Sequence, residues 1–156
     1  MIFRQCLEIV TGRKTQTRRM VKATEFILNE GGVLSVRAAN RLKWEVGRDY
    51  AVVQKRGEHA LWWQQSAEGI HFAQLGMNGF EHVDELEAAG YRPLRIRITN
   101  IRLEKLNDLS DANARAEGYS YRREYRELWN SINKRPGTRW DDNPLVWVLE
   151  FELVTN

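Results

Sequence analysis

One short run near the N-terminus, "GRKTQTRR" from Gly12 to Arg19, gathers four cations (Arg13, Lys14, Arg18, Arg19) and two threonines (Thr15, Thr17) into eight residues. Three kinds of chemistry fit such a run. A solvated basic turn complements the negative end of a helix and does nothing more, which is the usual fate of a short basic stretch. A nucleic-acid contact sets the cations against phosphates. An acid/base site needs a lysine whose pKa has fallen from about 10.4, and burial or neighbouring cations produce that fall. Arg13, Arg18 and Arg19 supply such cations if they point toward Lys14.

The flanking sequence indicates how the run is held. Phe3, Cys6, Leu7 and Val10 recur at helical spacing and Gly12 follows, which predicts an amphipathic helix over residues 2–11 with Gly12 as its left-handed stop. Residues 15–20 then read as a strand, with Thr15, Thr17 and Arg19 on one face and Gln16, Arg18 and Met20 on the other. Lys14 falls at the corner. Strands are expected over residues 50–56 and 94–103, and the apolar positions of the second change parity at Thr99-Asn100, the mark of a bulge or barrel corner. Ser110 caps a short helix to Glu117 with Gly118 as its stop, and Tyr121, Tyr125, Leu128, Trp129 and Ile132 trace a longer helix. Leu145–Val154 closes the chain as a strand, first apolar on both faces and then alternating.

A length of 156 residues suits one domain. A single cysteine, Cys6, excludes an intrachain disulfide and lies on the buried face of the first helix, where it is inert. The N-terminal apolar stretch is too short and too charged for a secretory signal or a membrane span, so a cytoplasmic protein is expected. Charge is uneven. Residues 1–22 carry six Lys/Arg against Glu8 alone, whereas residues 57–91 carry no Lys or Arg, six acids and all three histidines. The second segment reads as an atypical acidic insertion, and His59, His71 and His82 do not have zinc-site spacing.

"GRKTQTRR" fits the G-x-K-x-x-T-x-R signature of the ASCH family, with Gly12, Lys14, Thr17 and Arg19 in the signature positions. "KWEVGRDYAV" (43–52) is similar to that family's V-G-D segment, with Arg48 inserted. "ITNIRLEKLNDLSDANARAEGY" (98–119) resembles its strand and A-x-A-E-G helix, and "ELWNSIN" with "NPLVWVLEFELV" resembles the closing helix and strand of longer, often phage-associated members. The resemblance implies an α+β fold, a PUA-like, mostly antiparallel β-barrel with a few flanking short helices. It also implies an amidohydrolase that removes the acetyl group from N4-acetylcytidine. By motif, Lys14 takes the role of base, Thr17 of nucleophile and Glu117 of proton donor.

These roles suit the residues. Amide hydrolysis needs a nucleophile, a base, donors for the oxyanion and an acid for the leaving amine. Arg19, on the strand face of Thr17, would steady developing charge, and Glu117 at a helix end meets a dipole that suits a proton donor. Arg18, Arg95 and Trp44 complete the expected substrate contacts, and Trp62, Trp63 and Trp140 are further stacking candidates, although packing is the commoner use of tryptophan. Trp129 and Trp147 sit on core periodicities. No metal or organic cofactor is needed. The competing expectation is a noncatalytic RNA-binding module, or a ribonuclease, whose Lys14, Arg18, Arg19, Arg95 and Arg97 meet phosphates.

Overall fold

A computed structural model describes residues 1–155. In chain order its elements are α1 (Cys6–Val10), β1 (Gln16–Met20), β2 (Glu25–Glu30), β3 (Val33–Ala38), β4 (Arg41–Glu45), β5 (Asp49–Ala51), β6 (Trp62–Ser66), β7 (Gly69–Ala73), α2 (Val83–Ala88), β8 (Arg92–Pro93), β9 (Arg95–Lys105), α3 (Asp111–Ala116), α4 (Arg122–Ile132) and β10 (Leu145–Leu153). The fold is α+β, and every pair of named strands is antiparallel. The main sheet runs β1-β10-β9-β5 and forms a half barrel with β1 and β5 at its edges. A meander, β2-β3-β4, and a small sheet, β7-β6-β8, flank it. No helix among the described residues is long and apolar enough to cross a membrane.

β10 is buried on both faces because two cores meet on it. Val146 and Val148 pack with Leu106, Leu109, Tyr125, Trp129 and Trp140 on the side of α3 and α4. Trp147 and Leu149 pack with Val36, Trp44, Ile98 and Ile101 on the other. The expected parity change in β9 is a bulge: Asn100 pairs with Glu150 and Ile98 with Phe151, which leaves Thr99 as the extra residue. That offset keeps Ile96, Ile98 and Ile101 inside despite their mixed parity.

Two expected elements are shorter. The first helix begins only at Cys6, because the chain before it pairs as extended backbone: Ile2 bridges Val53, the Phe3 N–H donates to the Val53 carbonyl, and the Val53 N–H donates to the Met1 carbonyl. Those same bonds end the strand expected over 50–56 at Ala51, after which the chain turns at Lys55–Glu58. Phe3 still reaches the core that its spacing suggested, beside Cys6, Ile9 and Trp63. The segment 57–91 is built rather than featureless. It supplies β6, β7 and α2, with Trp62, Ala73 and Leu86 forming a small cluster while Trp63 joins the core beneath α1.

Candidate active site

Lys14 is positioned entirely by backbone. Gly12 turns the chain out of α1 at φ 77°, the Lys14 N–H returns to the Glu8 carbonyl at 2.9 Å, and the Thr15 N–H reaches the Ala116 carbonyl at 2.7 Å. An antiparallel bridge therefore joins Lys14 to Glu117. Glu117 is fixed with comparable economy. Ser110 caps α3 by accepting from the Asn113 N–H at 3.1 Å, and Gly118 ends the helix at φ 94°. Only glycine suits that turn, because a Cβ there would lie 3.0 Å from the Gln5 side-chain amide, in a conformation that other residues rarely adopt.

The Lys14 Nζ donates to Glu117 Oε2 at 2.9 Å and to the Glu117 backbone carbonyl at 2.8 Å. Glu117 Oε1 accepts from Arg18 Nη1 at 3.1 Å. All three side chains are buried, Arg18 completely. Arg18 Nη1 also reaches Gln16 Oε1 at 3.2 Å, and its Nη2 reaches Glu104 Oε2 at 3.3 Å. Arg102 continues the chain from Glu104 to Glu150, and Glu150 accepts from Gln16. Three cations and three carboxylates thus form a closed network that runs from the buried Lys14, Arg18 and Glu117 out to the half-buried Glu104, Arg102 and Glu150, so that the inner charges are paired.

A cleft of about 330 Å³ opens on this network. Its walls carry Lys14, Thr17, Arg18, Arg19 and Glu117, so five of the seven expected site residues come together. It wraps the free edge of β1, and residues of both strand alternations line it. Lys14 and Arg18 lie on one side with Glu117, while Thr17 projects to the other and makes no side-chain hydrogen bond among the described residues. Arg19 donates to the Ile2 carbonyl at 2.5 Å and lies over the Phe3 ring, with its Nε buried and unpartnered. Arg13 points away, toward Glu8.

Burial strips water from the Lys14 ammonium and holds its pKa below the ordinary lysine value. Glu117 opposes the fall, while Arg19 and Arg18 add to it. Burial also pushes the Tyr125 phenol well above its usual range, and raises Tyr119 to about 12, with Glu117 and Glu8 adding and Arg4 opposing. Both phenols of the cleft therefore keep their protons well above neutral pH.

The other two expected residues lie elsewhere. Trp44 packs among Val36, Ile98 and Trp147, with Lys43 over its ring, and Arg95 is exposed on β9 opposite Ala51; neither lines the cleft. Trp62, Trp63 and Trp140 are likewise core residues. Missing from the sequence reading were Tyr119, Tyr125 and Trp129, which line the cleft. Helical spacing marked the last two as core, and they are buried as well: one face of α4 both packs and forms the wall. Among the described residues no cluster of His, Cys, Asp and Glu could hold a metal ion.

No family model matches the chain, and no curated protein matches it. Among solved structures it is similar to protein EF3133 from Enterococcus faecalis V583, described by the family model DUF984, with 14% identity and a TM-score of 0.50 over 96% of this chain and 69% of that one. At that identity the likeness speaks for a small β-rich fold and for nothing about activity.

Proposed function

We propose that this chain is an amidohydrolase of the ASCH type, on a PUA-like half barrel, that removes the acyl group from an acylated pyrimidine nucleoside such as N4-acetylcytidine. The observation that carries this reading is the buried Lys14–Glu117 pair on the wall of a cleft that Thr17 and Arg19 share. A lysine with a lowered pKa, a carboxyl group and a hydroxyl around one small concave space are the parts that amide hydrolysis requires. A cleft volume of about 330 Å³ is at the small end for ligand sites and suits a nucleoside.

In this mechanism Thr17 Oγ1 attacks the acetyl carbonyl while its proton passes to Lys14 through one water in the cleft, since the two side chains leave on different sides and share no hydrogen bond. Arg19, whose Nε has no partner, steadies the oxyanion. The C–N bond then breaks, N4 of cytidine leaves with a proton from Glu117, and the acetyl group stays on Thr17 until water releases it as acetate. The 2.9 Å bond between Lys14 and Glu117 gives the proton taken from Thr17 a direct path to the leaving amine. Tyr119, Tyr125 and Trp129 supply the aromatic wall against which a pyrimidine would lie.

A noncatalytic RNA module using Lys14 and Arg18 is less favoured, because the Lys14 ammonium and both terminal nitrogens of Arg18 are already bonded to carboxylates within the protein. The test is release of cytidine and acetate from N4-acetylcytidine by the wild type, Lys14→Ala and Thr17→Ala. Turnover in the wild type and loss in both variants is expected. No turnover by the wild type rejects the substrate, and unchanged turnover in the variants rejects the assigned residues.

A further inference from the structure

Beside the cleft lies a second recess, lined by Ile2, Arg4, Gln54, Lys55 and Arg56. The two adjoin, since Ile2 and Arg4 line both. Strand pairing explains the juxtaposition. The Ile2–Val53 bridge runs the N-terminal segment parallel to residues 51–53, so the residue after Phe3 and the residues after Val53 leave the pairing side by side and carry Arg4 alongside Lys55 and Arg56.

These three cations differ from those inside the cleft. Lys14 and Arg18 are bonded to Glu117, and Arg18 also to Glu104. Arg4, Lys55 and Arg56 are exposed, and among the described residues none of them has an ion pair or a side-chain hydrogen bond. No acid lines their recess. Three like charges grouped without a carboxylate raise a local positive potential that attracts an anion. Arg4 also lines the cleft, as does Tyr119.

We propose that the ledge formed by Arg4, Lys55 and Arg56 is a phosphate site, so that the cleft takes a pyrimidine nucleoside monophosphate rather than the free nucleoside. The base occupies the cleft beside Lys14 and Glu117, and the phosphate leaves through the shared Arg4 wall onto the ledge. The inference rests on the cleft being a pyrimidine site, and it adds a substrate class that the catalytic residues do not specify. Arginine and lysine together give forked and point-charge donors to phosphate oxygens, the combination that such a group uses well.

Equilibrium binding of cytidine and of cytidine 5′-monophosphate to the full chain tests this without relying on turnover. At low salt the monophosphate should bind about tenfold tighter, and the gap should narrow as salt rises. In the Arg4→Ser/Lys55→Ser/Arg56→Ser variant the ratio should fall to within about twofold of unity, since exposed, unpaired side chains contribute little to folding. Arg13→Ser, which removes an exposed cation bonded to Glu8, should keep the wild-type ratio. A wild-type ratio near unity, no binding of the monophosphate at low salt, or an equal collapse in Arg13→Ser overturns the proposal. So does tight binding of a single-stranded cytidine-containing RNA without preference for the mononucleotide over cytidine, since the ledge would then belong to a polymer path. If the ratio behaves as expected while N4-acetylcytidine is not hydrolysed, the ledge stands and the amide chemistry falls; turnover with a ratio of unity gives the reverse result.

Discussion

Lys14 and Glu117, 103 residues apart in the chain, are joined three times: by a backbone bridge, by Nζ to Oε2 at 2.9 Å and by Nζ to the Glu117 carbonyl at 2.8 Å. The backbone bridge fixes where the two residues sit, and the carbonyl bond fixes the direction of the ammonium. The carboxylate is then shared with Arg18, so the pair is ordered before any ligand arrives.

The first prediction concerns stability. Removing one member of a buried ion pair strands its partner, at a cost of about 3–5 kcal/mol. Glu117→Gln leaves Lys14 without a carboxylate and Arg18 with Glu104 alone, and should lie at the upper end of that range. Lys14→Met leaves Glu117 with Arg18 and should cost less. Urea unfolding of both variants and of the double variant closes the cycle. A coupling near zero would mean that the pair contributes nothing beyond its separate residues.

The pH dependence has a definite sign. Lys14 is held below the ordinary lysine value by burial, with Glu117 opposing and Arg19 and Arg18 assisting. Between that lowered pKa and about 10.4 the unfolded chain binds more protons at this position than the folded one, so its contribution to stability grows as pH rises through the window. Activity should follow the same group, with kcat/KM rising as Lys14 loses its proton and the midpoint lying below the ordinary lysine value. A profile flat up to the ordinary lysine range would exclude Lys14 as the base.

Thr17 separates chemistry from folding better than Lys14 does. Its hydroxyl makes no hydrogen bond among the described residues, so Thr17→Val should change stability by less than about 1 kcal/mol. On the proposed mechanism hydrolysis should nevertheless fall by at least about 10³-fold, because the variant lacks the proposed nucleophile and with it the covalent route. Thr17→Ser should keep most of the activity. Equal turnover in Thr17→Val and wild type would move the nucleophilic role elsewhere, to water above all.

Cys6 offers a check on the core beneath α1. Burial raises the thiol to about 11, with Gln54 opposing and Glu8 adding a smaller push, while the Sγ donates to the Phe3 carbonyl. At pH 8 the thiolate is then about one part in a thousand, and the sulfur is enclosed as well. Labelling by iodoacetamide should be at least about a hundredfold slower than for an exposed thiol and should reach full rate in urea. Fast labelling of the native chain would contradict the packing of Phe3, Cys6 and Ile9.

The features legible in the sequence are those set by neighbouring residues. Ser110 and Gly118 delimit α3 because capping and left-handed turns are local. Gly12 ends α1 for the same reason, and Thr99 declares itself through the parity of Leu94, Ile96 and Ile98 against Ile101. Gathering Lys14, Thr17, Arg18, Arg19 and Glu117 from one signature and one helix end was within reach, since two short elements carry all five. Their pairing was not. Arg18 finds Glu117 and Glu104 at separations of 99 and 86 residues, and no periodicity encodes those choices. Ile2 and Phe3 look helical by spacing yet pair with Val53, because tertiary hydrogen bonding outweighed a weak local preference. Trp44 looked free for stacking because its burial depends on β3 and β9, which the sequence alone does not bring beside it.

The bulge itself can be tested by deletion. With Thr99 present, Ile98 meets Phe151 and Asn100 meets Glu150, so Leu94, Ile96 and Ile98 stay on their core faces while Ile101 and Glu104 keep theirs. Removing one residue forces one half of β9 to turn over, because side chains alternate with a period of two. Either the isoleucines before the bulge face solvent or Glu104 leaves Arg18. Each buried isoleucine exposed costs about 1.5–3 kcal/mol, so the deletion should destabilise the chain by more than about 4 kcal/mol. Thr99→Ala, at an exposed position, should cost less than about 1 kcal/mol, because the backbone count matters there and the side chain does not. Urea midpoints of the two variants compare these directly. Near-wild-type stability of the deletion would show that β9 can slip without turning over, in which case the bulge would not be what sets the position of Glu104 against Arg18.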